Sequence, residues 1–239
     1  QTGGRGLMTV ATLFSLATRR RIGLAERSLL QESVASMSIG GVVRLTRRIL
    51  LGTLLFEGAG ALLLATRFVP RYGLARGLYM GVFHSVSAFC NAGFDLMGRP
   101  DAMYISLTEY VADPVVSLTI CGLIVIGGLG FVVWDDLVRN RLHWRRYLLH
   151  TKLVLATTAV LIAVPTLLFL GLEHTHTLQG MGPGERVLAC VFSAVTPRTA
   201  GFNTVDTAAL GDGSKLLTML LMLIGGSPGS TAGGIKTTT

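Results

Sequence analysis

"FCNAGFDLMG" occupies Phe89–Gly98, and "RTAGFNTVDT" occupies Arg198–Thr207. Each places Ala-Gly-Phe shortly after an apolar run, and the two copies lie about a hundred residues apart. The runs that lead into them, Leu78–Phe89 and Val187–Val195, are too short to cross a hydrocarbon core, which takes about 20 helical residues. Both read as re-entrant half-helices. Longer apolar stretches precede each one, Ile49–Val69 and Leu153–Leu172, and Val115–Trp134 follows the first; each is long enough to span as a helix. The second turn is followed by Leu216–Ile224, which breaks into "GGSPGSTAGGIKTTT", Gly225–Thr239. The order of spanning helix, half-helix, glycine turn and second helix is therefore written twice, and this internal repetition organises the chain.

Composition agrees. Half of the 239 residues are hydrophobic, 14% are charged and the mean hydropathy is +0.58, too apolar for an ordinary soluble domain. The formal net charge of +8 does not point to nucleic acid, because aromatic residues are few and the basic ones are bunched between apolar stretches. Seven of the 21 basic residues fall between Arg19 and Arg48 and five between Arg139 and Lys152, which predicts that these connections are cytoplasmic. The Ala-Gly-Phe turns then open outward, with Arg67, Arg71 and Arg76 as exceptions to the rule. Leu24–Ser38 reads as an amphipathic helix at the inner surface. The short apolar segment Leu7–Ala17 leads us to expect more helix upstream, as in a piece of a longer protein.

A half-helix entering the bilayer ends in irregular backbone, which is tolerated at that depth only where protein or water covers it. Gly93 and Gly201 permit backbone angles that let carbonyl oxygens face an axis, and a ring of carbonyls replaces the hydration shell of a monovalent cation. One turn supplies only part of such a ring, which accounts for the repetition. A single Ala-Gly-Phe reads better as an ordinary helix C-cap with a tucked aromatic; two at equivalent places in repeated units favour a pore.

The segments "FHSVSAFCNAGFDL" (Phe83–Leu96), "VFSAVTPRTAGFNTVD" (Val191–Asp206) and "LIGGSPGSTAGGIKTTT" (Leu223–Thr239) resemble the Trk/Ktr/HKT superfamily of potassium transporters, most closely its bacterial Ktr- or Trk-type membrane subunits. The resemblance implies an all-α membrane protein whose helix–pore loop–helix units surround a central pore as in a potassium channel. Four such repeats are expected in the whole polypeptide. Residues 1–41 would end repeat one, 42–140 form repeat two, and 141–239 form most of repeat three. Asn91, Ala92, Gly93 and Phe94 then match the second repeat's filter, and Thr199, Ala200, Gly201 and Phe202 the third's. In this family the filter glycine accompanies potassium preference; a serine in the first repeat of some plant members accompanies sodium transport. The stretch Gly225, Gly226, Ser227, Pro228, Gly229, Ser230, Thr231, Ala232, Gly233 and Gly234 matches an intramembrane gating loop. Lys236 follows it, either attracted to the loop or repelling ions.

The resemblance further implies potassium as the transported ion, no cofactor bound by this chain, a multi-pass protein of the bacterial inner membrane, a homodimer, and a cytosolic nucleotide-binding regulatory subunit. Arg19–Arg48 and Arg139–Lys152 are the candidate docking surfaces, and anionic lipid explains the same charges. A secondary transporter with broken helices, carrying another small solute, is the alternative, but the repeats share one orientation and hold few ionisable groups.

Other motifs carry less. Gly229–Gly234 with Lys236 and Thr237 approaches a phosphate loop, but Ile235 intervenes and an apolar helix precedes it. Gly127, Gly128 and Gly130 lack the third glycine and strand of a dinucleotide site and read as close packing through small residues. Cys90, Cys121 and Cys190 have no metal spacing, and His174 and His176 supply too few ligands for a metal centre. No nucleophile–base pair points to an enzyme. Glu57, inside "LLGTLLFEGAGALLL", is a functional or a hydrogen-bonded packing carboxyl, and Asp95 and Asp206 either concentrate cations at the outer mouth or close solvated turns.

Overall fold

The computed structural model describes the backbone of residues 39–100, 102–141 and 143–237, and the side chains from Arg47 onward. The expected surface helix Leu24–Ser38 and the segment Leu7–Ala17 lie outside these residues. Up to Leu54 the described chain is the beginning of helix α1; from Leu55 onward it forms one compact unit. No strand occurs among the described residues, only isolated bridges between Arg99 and Ala102 and between Ile224 and Ile235.

Seven helices are described: α1 (Ile39–Tyr72), α2 (Leu74–Phe89), α3 (Pro114–Leu129), α4 (Phe131–Asn140), α5 (Leu149–Leu172), α6 (Pro183–Val195) and α7 (Asp212–Leu223). Two are long and apolar enough to cross a membrane, α1 over Arg47–Tyr72 and α5 over its 24 residues. At 1.5 Å per residue α5 is about 36 Å long, whereas the 16 residues of α2 reach only ~24 Å. The half-helices expected from Leu78 and Val187 thus begin about a turn earlier, at Leu74 and Pro183, and still end short of a full crossing.

The starts are locally encoded. Asp113 accepts hydrogen bonds from the Val115 and Val116 amides at 2.9 and 3.3 Å, and Pro114 occupies the first helical position where its missing N–H costs nothing. Pro183 does the same for α6, with the Glu185 carboxylate accepting from the Gly182 amide. Between α1 and α2 the chain reverses at Gly73, whose φ of 83° suits glycine. A β-carbon on Gly77 would stand 2.5 Å from Val69 Cα, so glycine is what lets α2 fold back against α1.

Val115–Trp134, expected as one spanning helix, is instead divided into α3 and α4, which bend by 95° at Gly130. Gly130 has φ 91°, closed to helix and unfavourable for any side chain. The chain breaks likewise after α7, which ends at Leu223 before the Gly225–Gly226 pair.

Arg67, Arg71 and Arg76, expected as exceptions to the charge rule, are paired or stacked. Arg67 pairs with Asp113 at 3.3 Å, Glu109 bridges Arg71 and Arg99, and Arg76 lies over the Tyr72 ring. One core gathers Leu64 and Phe68 of α1, Met80 and Phe89 of α2, Ile120 and Ile124 of α3, and Phe192 of α6. A second gathers Phe169, Ala189, Cys190, Val205, Leu210 and Leu221 around α5, α6 and α7. Large apolar side chains such as Leu55, Leu62, Leu167 and Leu220 point outward instead, as the acyl chains of a bilayer permit.

Just beyond α5 the buried Glu173 carboxylate ties three segments. It accepts from the Gly211 amide at 2.9 Å, where α7 begins, and from the Thr177 hydroxyl at 2.8 Å. Burial alone pushes this carboxyl up, but these donors outweigh it and hold it below the ordinary glutamate range. A depressed carboxyl stabilises the fold fully above its unfolded pKa and loses that contribution as pH falls through the lower folded value. We expect Glu173→Gln to lower the thermal midpoint of the purified protein near neutral pH and the gap to close as the solution is acidified below the glutamate range. A gap unchanged in acid would contradict the assignment.

Candidate ion pathway

The two glycine turns come together. A β-carbon built on Gly93 would stand 1.9 Å from the Ala200 carbonyl oxygen and 3.0 Å from Gly201 Cα, so the main chains meet directly and no side chain fits between them. They are also congruent. Asn91 and Gly93 have φ of 51° and 71°, and Thr199 and Gly201 have 65° and 97°, a positive φ at the first and third places of each turn. Behind each turn a hydroxyl from the end of the half-helix holds the phenylalanine carbonyl: Ser87 donates to Phe94 O at 2.7 Å, and Thr196 donates to Phe202 O. The Asn91 amide group reaches across to the Arg198 carbonyl at 3.4 Å. Ala92 is exposed and Ala200 is buried.

His84 adds a strut that the sequence reading passed over. Buried on α2, it bonds the Met80 carbonyl through Nδ1 at 2.7 Å, so that Nδ1 carries the proton and Nε2 accepts from the Leu96 amide at 3.3 Å. The neutral ring thereby pins the segment leaving the turn to the helix entering it. An i to i−4 backbone bond and a far amide leave no local pattern in the sequence.

Glu57 is buried beside the end of α2, its Oε1 4.0 Å from Cys90 Sγ, while its carbonyl accepts from the Ser85 hydroxyl at 2.7 Å. Asp95 and Asp206 each close a tight turn, accepting from the Met97 and Ala208 amides at 3.0 and 2.9 Å. His174 and His176 lie in the turn after α5.

The Gly-rich segment is docked onto the break between α3 and α4. A helix end leaves carbonyls without intrahelical donors, which at membrane depth must be satisfied within the protein. Here the Ser227 amide donates to Gly128 O at 3.0 Å and the Thr231 amide to Gly127 O at 3.2 Å. In return the Phe131 amide, freed by the break, donates to Gly229 O at 3.0 Å. The Thr231 hydroxyl donates to Phe89 O at 2.9 Å, at the end of α2. Small residues make this possible: β-carbons on Gly127 and Gly130 would stand 2.1 Å from Phe89 O and 2.6 Å from Pro228 O. The close packing expected of these glycines is present, against the end of α2 at Gly127 and against the loop at Gly130.

Within the loop, the Gly225 amide donates to Ile235 O, the Gly226 amide to Gly233 O, and the Ser230 hydroxyl to Ser227 O. Ala232 is buried, Gly233 and Gly234 are exposed, and Lys236 Nζ donates to Ala232 O at 2.8 Å, which turns the cation back onto the loop.

The fold defined by these repeats is that of an all-helical membrane protein with half-helix pore loops. Residues 1–239 match the family model described as TrkH, cation transport protein, and the chain belongs to that family. It is 43% identical over its whole length to Ktr system potassium uptake protein B of Bacillus subtilis, covering 53% of that protein. It is 38% identical, again over its whole length, to potassium/sodium uptake protein NtpJ of Enterococcus hirae, covering 52% of it. The crystal structure of the potassium transporter TrkH from Vibrio parahaemolyticus superposes with a TM-score of 0.64 at 20% identity, over 89% of this chain and 44% of that one. The chain spans about half the length of the curated relatives it matches.

Each docking hydrogen bond stabilises by about 1 kcal/mol net, so the four together hold the loop by a few kcal/mol. Gly130→Ala, with a strained φ and a methyl against Pro228 O, is expected to loosen that seat. Hydrogen exchange on peptides covering residues 225–237 of the intact protein should then be faster than in the parent; identical exchange would show that the loop does not depend on the break.

Proposed function

We propose that this segment supplies two of the repeats that surround the pore of a potassium uptake system in the bacterial inner membrane. Ions pass a filter to which Asn91–Phe94 and Thr199–Phe202 contribute main-chain carbonyls. The observation that carries this reading is the direct meeting of two congruent glycine turns, each at the end of a half-helix. Positive φ at alternate residues turns successive peptide planes, as a line of oxygens along an axis requires. The relatives' names, potassium uptake and potassium/sodium uptake, point to monovalent cations.

In this reading residues 1–41, 42–140 and 141–239 belong to repeats one, two and three, and the basic connections face the cytoplasm. The docked loop Gly225–Lys236 is the gate: it lies across the ends of α2 and α3, and its opening breaks bonds worth only a few kcal/mol, within reach of a partner's binding. The name "Ktr system" fits a regulatory subunit acting from the cytoplasmic side, and the whole protein works as a homodimer with no cofactor of its own. Asp95 and Asp206, closing turns next to the filter, add negative charge at the outer mouth.

The test is rubidium uptake by bacteria lacking their own potassium uptake systems and expressing the intact protein. Gly93→Ser and Gly201→Ser put a β-carbon at positive φ and, at Gly93, into the facing main chain. Both are expected to lose uptake, or its preference over sodium, at equal membrane abundance. Uptake and preference equal to the parent's in both variants would make the turns structural and refute the filter.

A further inference from the structure

A buried imidazole among aromatic rings is ordinarily a filler, and phenylalanine fills such a place as well. His84 is fully buried, with the rings of Phe68, Phe83 and Phe202 at 5.4, 5.8 and 6.3 Å from its own. What an imidazole adds to this pocket is polar, and burying a polar group is costly unless its nitrogens find partners. Nδ1 turns to the Met80 carbonyl on its own helix, a bond that fixes the ring and nothing beyond α2. Nε2 is the atom with a consequence elsewhere. It accepts from the Leu96 amide, two residues past the end of the segment Asn91–Phe94.

His84 and Ser87 stand three residues apart and so on one face of α2. From that face Ser87 donates to Phe94 O at 2.7 Å and His84 accepts from the Leu96 amide at 3.3 Å, so the two side chains grip alternate residues of the segment leaving the Gly93 turn. The Gly201 turn is held differently. Thr196 repeats the Ser87 bond, but Ser193 stands three residues before it where His84 stands before Ser87. Its exit is tied instead to the segment between α2 and α3, the Asn203 amide donating to Ser106 Oγ at 3.1 Å and the Leu107 amide to Asn203 O at 2.9 Å. A ring nitrogen as anchor is therefore particular to the Gly93 turn.

We infer that His84 is a positioning residue for ion preference: its Nε2 fixes the exit of the Gly93 turn and thereby the placement of the carbonyls that the turn offers. The inference rests on the filter reading proposed above. Carbonyl oxygens discriminate between cations through their number and placement, so a turn released at one end closes more readily around a smaller ion. The imidazole does not touch the ion; it acts through the Leu96 amide.

The intact protein is made with His84→Gln, His84→Asn and His84→Phe, and rubidium uptake with sodium as competitor is measured in bacteria lacking their own potassium uptake systems, at equal membrane abundance. Glutamine sets its terminal amide where Nε2 stood and keeps an acceptor for Leu96. Asparagine reaches only as far as Nδ1 and keeps the bond to Met80, while phenylalanine fills the pocket and offers no acceptor. We expect His84→Gln to stay nearest the parent. His84→Asn and His84→Phe should lose about tenfold in preference over sodium, the scale of one buried amide left without its acceptor. The loss should fall on the KM for rubidium more than on the maximal rate. A packing role predicts the opposite order, with His84→Phe nearest the parent; that order, or a preference equal to the parent's in both His84→Asn and His84→Phe, overturns the inference. If either of these two falls short of the parent's abundance, His84→Leu, which also lacks an acceptor, takes its place on the same terms. Gly93→Ser and Gly201→Ser are assayed alongside. Preference lost in them but kept in His84→Asn and His84→Phe would remove the strut and leave the filter standing, whereas preference kept in both serine variants would refute the filter and the inference together.

Discussion

A main-chain amide or carbonyl at membrane depth must find its partner inside the protein, and this constraint governs every irregular segment of the chain. A half-helix can stop within the bilayer only where the backbone beyond it is covered. Here the cover for one glycine turn is the other: Gly93 lies against Ala200 and Gly201, with no side chain between. The Ser87 and Thr196 hydroxyls and the His84 imidazole satisfy the polar groups just behind the turns. In the proposed function, what remains of the turn backbone faces the ion, so the requirement that allows the turn also supplies its chemistry.

The second consequence appears at the break between α3 and α4. Bending a helix by 95° strands carbonyls on one side and an amide on the other, and the Gly-rich segment of the next repeat takes up both. Thr231 carries the contact through to the end of α2, so that half-helix, the broken helix and the loop share one hydrogen-bonded seat. Displacing the loop leaves those groups unpaired, and this favours two arrangements over a continuum between them. Phe202 is likewise buried in the core shared by α1, α2, α3 and α6.

Much of this was legible in the sequence because it is written in local periodicity and composition. Apolar run lengths distinguished spanning helices from half-helices, and the duplicated Ala-Gly-Phe located the turns. The Gly-rich motif pointed to the family. The division of Val115–Trp134 was not legible: hydropathy runs unbroken through it, and the bend is decided by the loop that fills the notch at Gly130. His84 and Glu173 were missed for a related reason, since a buried polar side chain is explained by groups far along the chain, the Leu96 amide in one case and the Gly211 amide in the other. Arg67 and Arg71 read as exceptions to the charge rule because their partners, Asp113 and Glu109, come from the segment before α3, about 40 residues along the chain.

The central claim is that backbone carbonyls of the two turns coordinate the ion, and the most direct measurement locates the ion itself. The intact protein would be crystallised in rubidium or thallium and its anomalous density mapped. We expect a peak on the axis beside Gly93 and Gly201, flanked by carbonyl oxygens of Asn91–Gly93 and Thr199–Gly201. Density that avoids this level and collects beside a carboxylate such as Glu57 would contradict it, and would make the glycine turns structural joints in a transporter that binds its solute elsewhere.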